Sequence, residues 1–338
     1  MKEHDIQVHF IRISSNVSGQ RIDNFLYTYL KVAPKSMIYR IIRTGAIRVN
    51  KKRIKFQYKL KVGDLLRVPP LQGMKINRFN TKYMKEVAFL QNIIIYEDDY
   101  LLALNKPTGI AAHGGSGLKF GVIEGLRALR PKAQFLELVH RLDRETSGVL
   151  LVAKKRTALV YLHEQLRLQN MKKEYLALVH GRWDVNLQIV SVPLLKKNTL
   201  LNSNKVVCID SENGKSSTTH FKIKEYFNNV ATLMIIKPIT GRTHQIRVHT
   251  QYTSHPIVGD RRYGNCQSNA RFKRFGFNRL FLHASILRFI HPNTKKKVYI
   301  YAPYDQLFHN CLFFLRNLVV NSYDCPLENI NRNIGNMK

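Results

Sequence analysis

Residues 135–153 read Phe-Leu-Glu-Leu-Val-His-Arg-Leu-Asp-Arg-Glu-Thr-Ser-Gly-Val-Leu-Leu-Val-Ala. The apolar run Phe135–Val139 leads into a polar segment, and a second apolar run, Val149–Ala153, leaves it. Short apolar runs bounded by glycine and polar residues are strand-like. The stretch therefore predicts two strands joined by a tight polar connection, a place where proteins often carry function. That connection holds Asp143 between Arg141 and Arg144. Nearby positive charge favours the ionised form of a carboxyl group, which suits Asp143 as a nucleophile in a protein that meets phosphates. The pattern also fits a surface turn fixed by an Asp–Arg pair, because structural networks perturb charges too.

Strand-like segments continue on both sides, in a domain expected over residues 93–320. Ile93–Tyr96, the acidic turn Glu97-Asp98-Asp99 and Leu101–Leu104 predict a hairpin ending at Asn105-Lys106-Pro107-Thr108-Gly109. Gly114-Gly115-Ser116-Gly117 lacks Walker or Rossmann spacing, so it reads as a flexible connection into a helix near 121–130. A helix near 156–170, a strand over Glu174–Val179 and a hairpin of Thr218–Tyr226 with Val230–Ile236 follow. Leu280–His283, Ile286–Phe289 and Val298–Tyr301 read as strands, and 305–319 as a last helix. Strands dominate and short turns join many of them. The expected class is α+β: a mixed, mostly antiparallel sheet with flanking helices rather than a doubly wound fold.

A smaller module is expected over residues 18–70. Ile22, Phe25, Leu26, Tyr29 and Leu30 recur at helical spacing before Pro34. Ser36 can cap a second helix that Gly45 stops. Ile47 and Val49, then Ile54, Phe56 and Tyr58, alternate as strands do, and Leu65–Val68 adds another. Arg40, Arg43, Arg48, Lys51, Lys52 and Arg53 crowd into this short stretch with no acid between them. They predict an RNA-binding face rather than a merely solvated one. Residues 71–92 read as a linker, and the Asn-rich residues 321–338 as a disordered tail.

Composition agrees with a polyanionic partner. The 338 residues carry 55 Lys and Arg against 22 Asp and Glu, a net charge of +33. Drift toward Lys, Asn and Ile inflates that figure, but the clustering of the charge is not drift. Four cysteines (Cys208, Cys266, Cys311 and Cys325) lie far apart without a CxxC pair, as expected of reduced thiols in the cytoplasm. The N-terminus lacks a secretory segment, and no apolar run reaches the roughly 18 residues a membrane helix needs. Secretion and membrane spanning are not expected.

A second polar segment, Pro238-Ile239-Thr240-Gly241-Arg242-Thr243-His244-Gln245-Ile246-Arg247-Val248-His249, follows the predicted hairpin. Gly241 permits a sharp turn and Thr243 suits a helix N-cap. Arg242 then stands at a helix N-terminus, where backbone N–H groups also favour anions. It can pair with Asp143 or with a phosphate, or be an ordinary surface arginine. Histidines 140, 244, 249, 255 and 283 form no metalloprotease or zinc-finger pattern, so no metal is expected. Glu145 and Asp143 do not form a glycosidase-like pair either.

Several of these segments together resemble known ones. Arg21-Ile22-Asp23-Asn24-Phe25-Leu26 and Arg48-Val49-Asn50-Lys51-Lys52 resemble the S4 RNA-binding domain. His140-Arg-Leu-Asp-Arg-Glu-Thr-Ser-Gly148 resembles the catalytic loop of pseudouridine synthases of the large-subunit rRNA and tRNA type. Lys173–Val179 is similar to that family's tyrosine strand and Gly241–His249 to its basic motif; Leu104–Gly109 and Arg279–Ala284 match in order.

The resemblance implies the pseudouridine synthase fold and isomerisation of RNA uridines. It implies Asp143 as the nucleophile that starts breakage of the C1′–N1 bond, by attack on the sugar or by proton removal. It further implies that Arg141 fills the gap left by an extruded nucleotide, Tyr175 packs on the flipped base and assists proton removal from C5, and Arg242 pairs with Asp143. The rearrangement conserves all atoms, so no cofactor or metal is expected. The implied partner is 23S rRNA or its assembly intermediates, near the peptidyl-transferase region, with no membrane and no obligate protein partner. The same chemistry on tRNA or another rRNA site, and a non-catalytic S4-type assembly factor, are the alternatives.

Overall fold

The computed structural model describes residues 8–15, 17–30, 35–70, 86–114, 121–198 and 205–321. The glycine-rich loop beyond Gly114, most of the expected linker and the expected tail lie outside these residues.

In the N-terminal module, α1 (Ile22–Tyr29) and α2 (Lys35–Arg43) turn Ile22, Phe25 and Leu26 against Ile38, Ile41 and Ile42. This is the i, i+3, i+4 stripe of a helix that packs on one face. Because α2 begins at Lys35, Ser36 lies inside its first turn rather than at the cap. The module's sheet has the order β1–β3–β2, with β1 at His9–Arg12, β2 at Arg48–Val49 and β3 at Leu65–Val68. Two features differ from expectation. The sheet takes a strand from before residue 18, and the alternating Ile54–Tyr58 segment forms no strand. Its backbone is diverted by buried Asp64, whose carboxylate accepts hydrogen bonds from Asn50 Nδ2 (2.9 Å), Tyr58 Oη (2.9 Å) and Lys61 N (2.8 Å). A carboxylate that collects donors from a turn fixes it more firmly than a two-strand ladder would.

A mixed, mostly antiparallel sheet dominates the rest. Along it lie β4 (Ile94–Glu97), β5 (Leu101–Lys106), β7 (Ser147–Ala153), β14 (Leu282–Ile290), β8 (Lys172–His180), β13 (Ala231–Pro238), β12 (Thr218–Phe227) and β9 (Ile189–Ser191), in that order. Strand β6 (Glu137–Leu138) pairs with β7, and β15 (Lys297–Tyr301) with β14. Among the described residues, only β7 and β14 pair in parallel. Leu101 and Ala103 join one apolar cluster while Leu102 and Leu104 join another, as a period of two requires when both faces are covered. Helix α3 (Val122–Leu129) covers one face through Leu126, and α4 (Arg156–Arg167) the other through Leu162. Val87 and Leu90, at the end of the expected linker, are fully buried on the α3 side and so belong to this core.

The two predicted strands at 280–289 are a single strand, β14, with a bulge between Ala284 and Ile286. The hairpin of β10 (Leu194–Asn198) with β11 (Lys205–Ile209), and the helices α5 (Gln245–Tyr252), α6 (Cys266–Arg274) and α7 (Gln306–Asn321), complete the fold. Among the described residues, no helix is long and apolar enough to cross a membrane.

Candidate active site

One rung of the sheet aligns the cleft. Gly148 on β7 is opposite Ala284 on β14, which is opposite Tyr175 on β8, which is opposite Ile236 on β13. Gly148 has φ +110°, and a Cβ there would run into the backbone of Ala284. Only glycine lets β7 and β14 approach this closely at that conformation. The loop ending at Gly148 is thereby drawn over the middle of the sheet, above Tyr175.

Asp143 sits in that loop with its side chain 30% exposed. The sequence suggested that Arg141 and Arg144 flank it electrostatically. Among the described residues, however, the groups that reach its carboxylate come from α5 and the residue before it. Arg247 Nη1 lies 3.5 Å and His244 Nε2 3.6 Å from the same oxygen, Oδ2. Arg242, expected to pair with Asp143, instead donates Nε to the carbonyl of Ser216 at 3.1 Å and is exposed. The cause is where the helix begins. His244, not Thr243, is the N-cap of α5, and it is left-handed at φ 52°. The turn before it is clamped by buried Gln245. Its Oε1 accepts from Thr240 Oγ1 (2.8 Å) and Arg242 N (2.9 Å), and its Nε2 donates to Thr218 O (3.0 Å) and Thr219 Oγ1 (2.9 Å). All four hydrogen-bonding positions of that amide are used.

Arg247 is a buried charge in direct reach of Asp143. Its Nε and Nη2 form a fork onto Asp260 at 2.7 and 2.8 Å, and Nη2 also lies 3.9 Å from Glu145. Burial works against its charge, but the hydrogen bonds and charge of Asp260, with Asp143 and Glu145, outweigh it and raise its pKa. The phenol of Tyr175 is raised well above its ordinary range by burial and then by the charge on Asp143. Tyr175 is therefore a neutral phenol.

Beneath the loop, fully buried Lys106 donates to Pro107 O (2.9 Å), Ile110 O (2.9 Å) and Arg144 O (3.2 Å). Burial lowers its pKa to about 7, against the opposing pull of Asp143. Behind the loop, Ser147 Oγ accepts from Arg279 Nη2 at 2.7 Å and meets His283 Nδ1 at 2.9 Å. The backbone carrying Asp143 is thus pinned from below and behind, while its carboxylate faces open space.

That space is a cleft of about 860 Å³, lined by Arg141, Asp143, Tyr175, Arg242, His244 and Lys173 among others, within the range of small-ligand pockets. All four predicted catalytic residues border it: Asp143, Tyr175, Arg242 and Arg141. On the far side of Asp143 a second recess is bounded by Arg144, Arg261 and Arg262. Cations therefore border the carboxylate on both sides.

In the N-terminal module, Arg40, Arg43, Arg48, Lys51, Lys52 and Arg53 are all exposed. Asn50 and Lys51 take left-handed φ values of 49° and 67°, making the turn that carries Lys51 and Lys52 outward. Arg48 Nε donates to Gly45 O at 3.2 Å, and Arg53 lies over Gly45 where a Cβ would stand.

Sequence reading passed over Arg247, Lys106, Gln245 and Asp260 as site residues. A signal for Arg247 existed: His244 and Arg247 are three apart, so a helix there puts both on one face.

The fold and the cleft define an RNA-modifying isomerase. The RNA pseudouridylate synthase family matches residues 100–252, and the S4 domain matches residues 20–66. The chain belongs to the RNA pseudouridylate synthase family, enzymes that convert uridine in RNA to pseudouridine. It is 56% identical over 317 residues to "Ribosomal large subunit pseudouridine synthase C" of Yersinia pestis, covering 94% of this chain and 98% of that protein. To the protein of the same name from Escherichia coli K12 it is 55% identical over 320 residues, covering 94% and 99%. The solved structure of human "RNA Pseudouridylate Synthase Domain Containing 4" superposes with a TM-score of 0.58 at 24% identity, covering 70% of this chain and 97% of that one, a likeness of fold.

Proposed function

We propose that this enzyme isomerises particular uridines of 23S rRNA in the large ribosomal subunit, in the cytoplasm, with Asp143 as the residue that opens the glycosidic bond. The names of the relatives support the target. One observation carries the assignment of Asp143: it is a partly exposed carboxylate on a pinned backbone, with one oxygen held by Arg247 and His244 and the cleft in front of it.

The chemistry follows from this arrangement. A stacked uridine must leave its helix or loop before its sugar can be reached, which costs a few kcal/mol. Contacts between phosphates and the exposed cations of the N-terminal module and cleft rim offset that cost. Arg141 occupies the gap in the stack. Tyr175 packs on the extruded base, since an aromatic face accepts any base. Asp143 then starts cleavage of C1′–N1; the freed uracil turns and C1′ bonds to C5. The C5 proton leaves and N1 gains one, so the product is an isomer and no electron is transferred. Arg242, free of Asp143, serves the rim of the cleft as a phosphate contact.

Mapping of pseudouridine in large-subunit RNA from cells lacking the enzyme, incubated with wild-type or Asp143→Asn protein, tests this. Wild type is expected to modify discrete 23S positions. The variant is expected to be slower by on the order of a thousandfold or more while RNA affinity is retained. An active Asp143→Asn protein removes Asp143 from its role; modification of tRNA in place of 23S rRNA removes the target.

A further inference from the structure

Tyr263 lies at the back of the site, 6% exposed, with its ring 5.1 Å from the Arg247 guanidinium and edge-on to His244. Its hydroxyl oxygen accepts the backbone N–H of Val207, on β11, at 3.1 Å. It also lies 2.8 Å from His244 Nδ1. A phenol has one proton to give, and a buried one needs an acceptor. Among the described residues the acceptor within reach is His244 Nδ1. A ring whose Nδ1 accepts must carry its proton on Nε2, because the bond made by one nitrogen decides the state of the other.

We propose that Tyr263 is a positioning residue, donating to His244 Nδ1 and so fixing the tautomer that presents Nε2–H to Asp143 Oδ2. This rests on Asp143 being the reactive carboxylate. Burial, joined by the charges of Arg247 and Arg262, lowers the pKa of His244 despite the opposing pull of Asp143, in keeping with a neutral ring. Nε2–H and Arg247 Nη1 then approach the same oxygen from two directions, at 3.6 and 3.5 Å. Two donors on Oδ2 stop the carboxylate from turning and leave Oδ1 for the substrate. Separations of this length in a free enzyme shorten once substrate is bound. The opposite tautomer would aim an imidazole lone pair at a carboxylate lone pair, and the brace would become a repulsion.

The test uses Tyr263→Phe, which keeps the ring and its packing on Arg247 and removes only the hydroxyl. Nitrogen NMR of the His244 ring is expected to show a single Nε2–H tautomer in the wild-type enzyme and a mixture in the variant. With RNA substrate, kcat is expected to fall by about tenfold with KM unchanged, the usual scale for loss of an outer hydrogen bond that orients a reacting group. In a His244→Gln background the side-chain amide donates from the Nε2 position without any tautomer to fix. There, Tyr263→Phe is expected to cost less than about twofold more, a non-additive cycle. The inference is overturned if the wild-type ring carries its proton on Nδ1, or if Tyr263→Phe lowers kcat equally in both backgrounds. The ring spectrum needs no turnover. An active Asp143→Asn enzyme therefore defeats the proposed function and leaves the tautomer result standing. An inactive one together with a fully active Tyr263→Phe defeats this inference alone.

Discussion

Arg247 at the cleft is 4% exposed and faces three carboxylates, whereas Arg40, Arg43, Arg48, Lys51, Lys52 and Arg53 on the N-terminal module all stand in solvent. On the proposed function both regions meet the same anionic polymer, and they hold positive charge in opposite ways. A buried guanidinium must be paired and hydrogen-bonded before it is tolerable at all. Once it is, its direction is fixed and salt barely screens it. Exposed cations cost little to place, point in many directions and weaken as ionic strength rises. The first arrangement can orient a carboxylate; the second can raise the local concentration of a polyanion. On the proposed function, chemistry and capture are thus separated along the chain by how deep each region places its charge.

The largest effect is expected where the buried arrangement is broken. Arg247→Met leaves Asp260 buried and unpaired, and removal of one partner of such a pair typically costs about 3–5 kcal/mol. Urea denaturation is expected to register that loss, and kcat to fall by at least about a hundredfold, as for other preorganised donors. Adding Asp260→Leu replaces the stranded carboxylate with an apolar group and is expected to recover most of the stability. Activity is expected to stay low, because Oδ2 of Asp143 still lacks its guanidinium. Should the double variant regain both, Arg247 acts only as a structural tie and the contrast between the two regions fails.

The two regions were also unequally legible in the sequence. In the N-terminal module, helical spacing locates the helices, and a run of bases without acids marks a face that the structure leaves exposed. In the larger domain short apolar runs and alternating ones locate β5, β7, β12 and β13, and the polar segment that follows Val139 is visible as a connection between strands. What could not be read was which charge meets Asp143. Arg141 and Arg144 are its neighbours in sequence, yet Arg247 reaches it from more than a hundred positions away through the register of β7, β14, β8 and β13. Arg242 stands out in the sequence because Thr243 looks like a cap, and the family resemblance implies that it pairs with Asp143. The left-handed backbone at His244 starts the helix later and turns the nearer arginine outward. The β10–β11 hairpin was missed because its connection carries no two-residue turn signature. Helix α6 was missed because it buries a single residue, Phe272. Asn265 was nonetheless readable as its cap, and its side chain accepts from Gln267 N and Ser268 N.

Acid sharpens the contrast with a smaller effect. His249 and His283, both fully or almost fully buried in the larger domain, have pKa values lowered to about 4 by burial. The folded state therefore prefers their neutral form, and the unfolded chain takes up protons first, from the ordinary value of about 6.5 downward. Their contribution is complete above pH 6.5, is lost as pH falls through the interval to about 4, and loses no more below it. In the N-terminal module the perturbed groups that titrate in acid are, among the described residues, carboxylates. Burial works against the charges of Asp23 and Asp64, but their hydrogen bonds outweigh it and lower both pKa values. Their contribution holds above the ordinary carboxylate value and fades only as pH falls below it. Peptide-resolved hydrogen exchange is expected to show β8 and β14 losing protection between pH 6.5 and 4, while α1 and α2 keep theirs. Earlier opening of α1 and α2 would contradict this ordering.

The smallest effect on chemistry, and the most diagnostic of capture, is expected from reversing Arg40, Arg43 and Arg48 to Glu. Each phosphate that the protein no longer neutralises takes about 0.7–0.9 off the slope of log affinity against log salt, so three such phosphates flatten it by about 2–3. The weakening belongs in KM, since the cleft is untouched, and it should shrink as salt rises because screening already weakens those pairings in the wild-type enzyme. Arg247→Met should do the reverse, lowering kcat while changing the salt slope by less than about 1. If the triple reversal instead lowers kcat at saturating RNA and leaves the slope alone, the N-terminal module positions the target nucleotide rather than merely holding the RNA. Depth of charge would then no longer divide chemistry from capture.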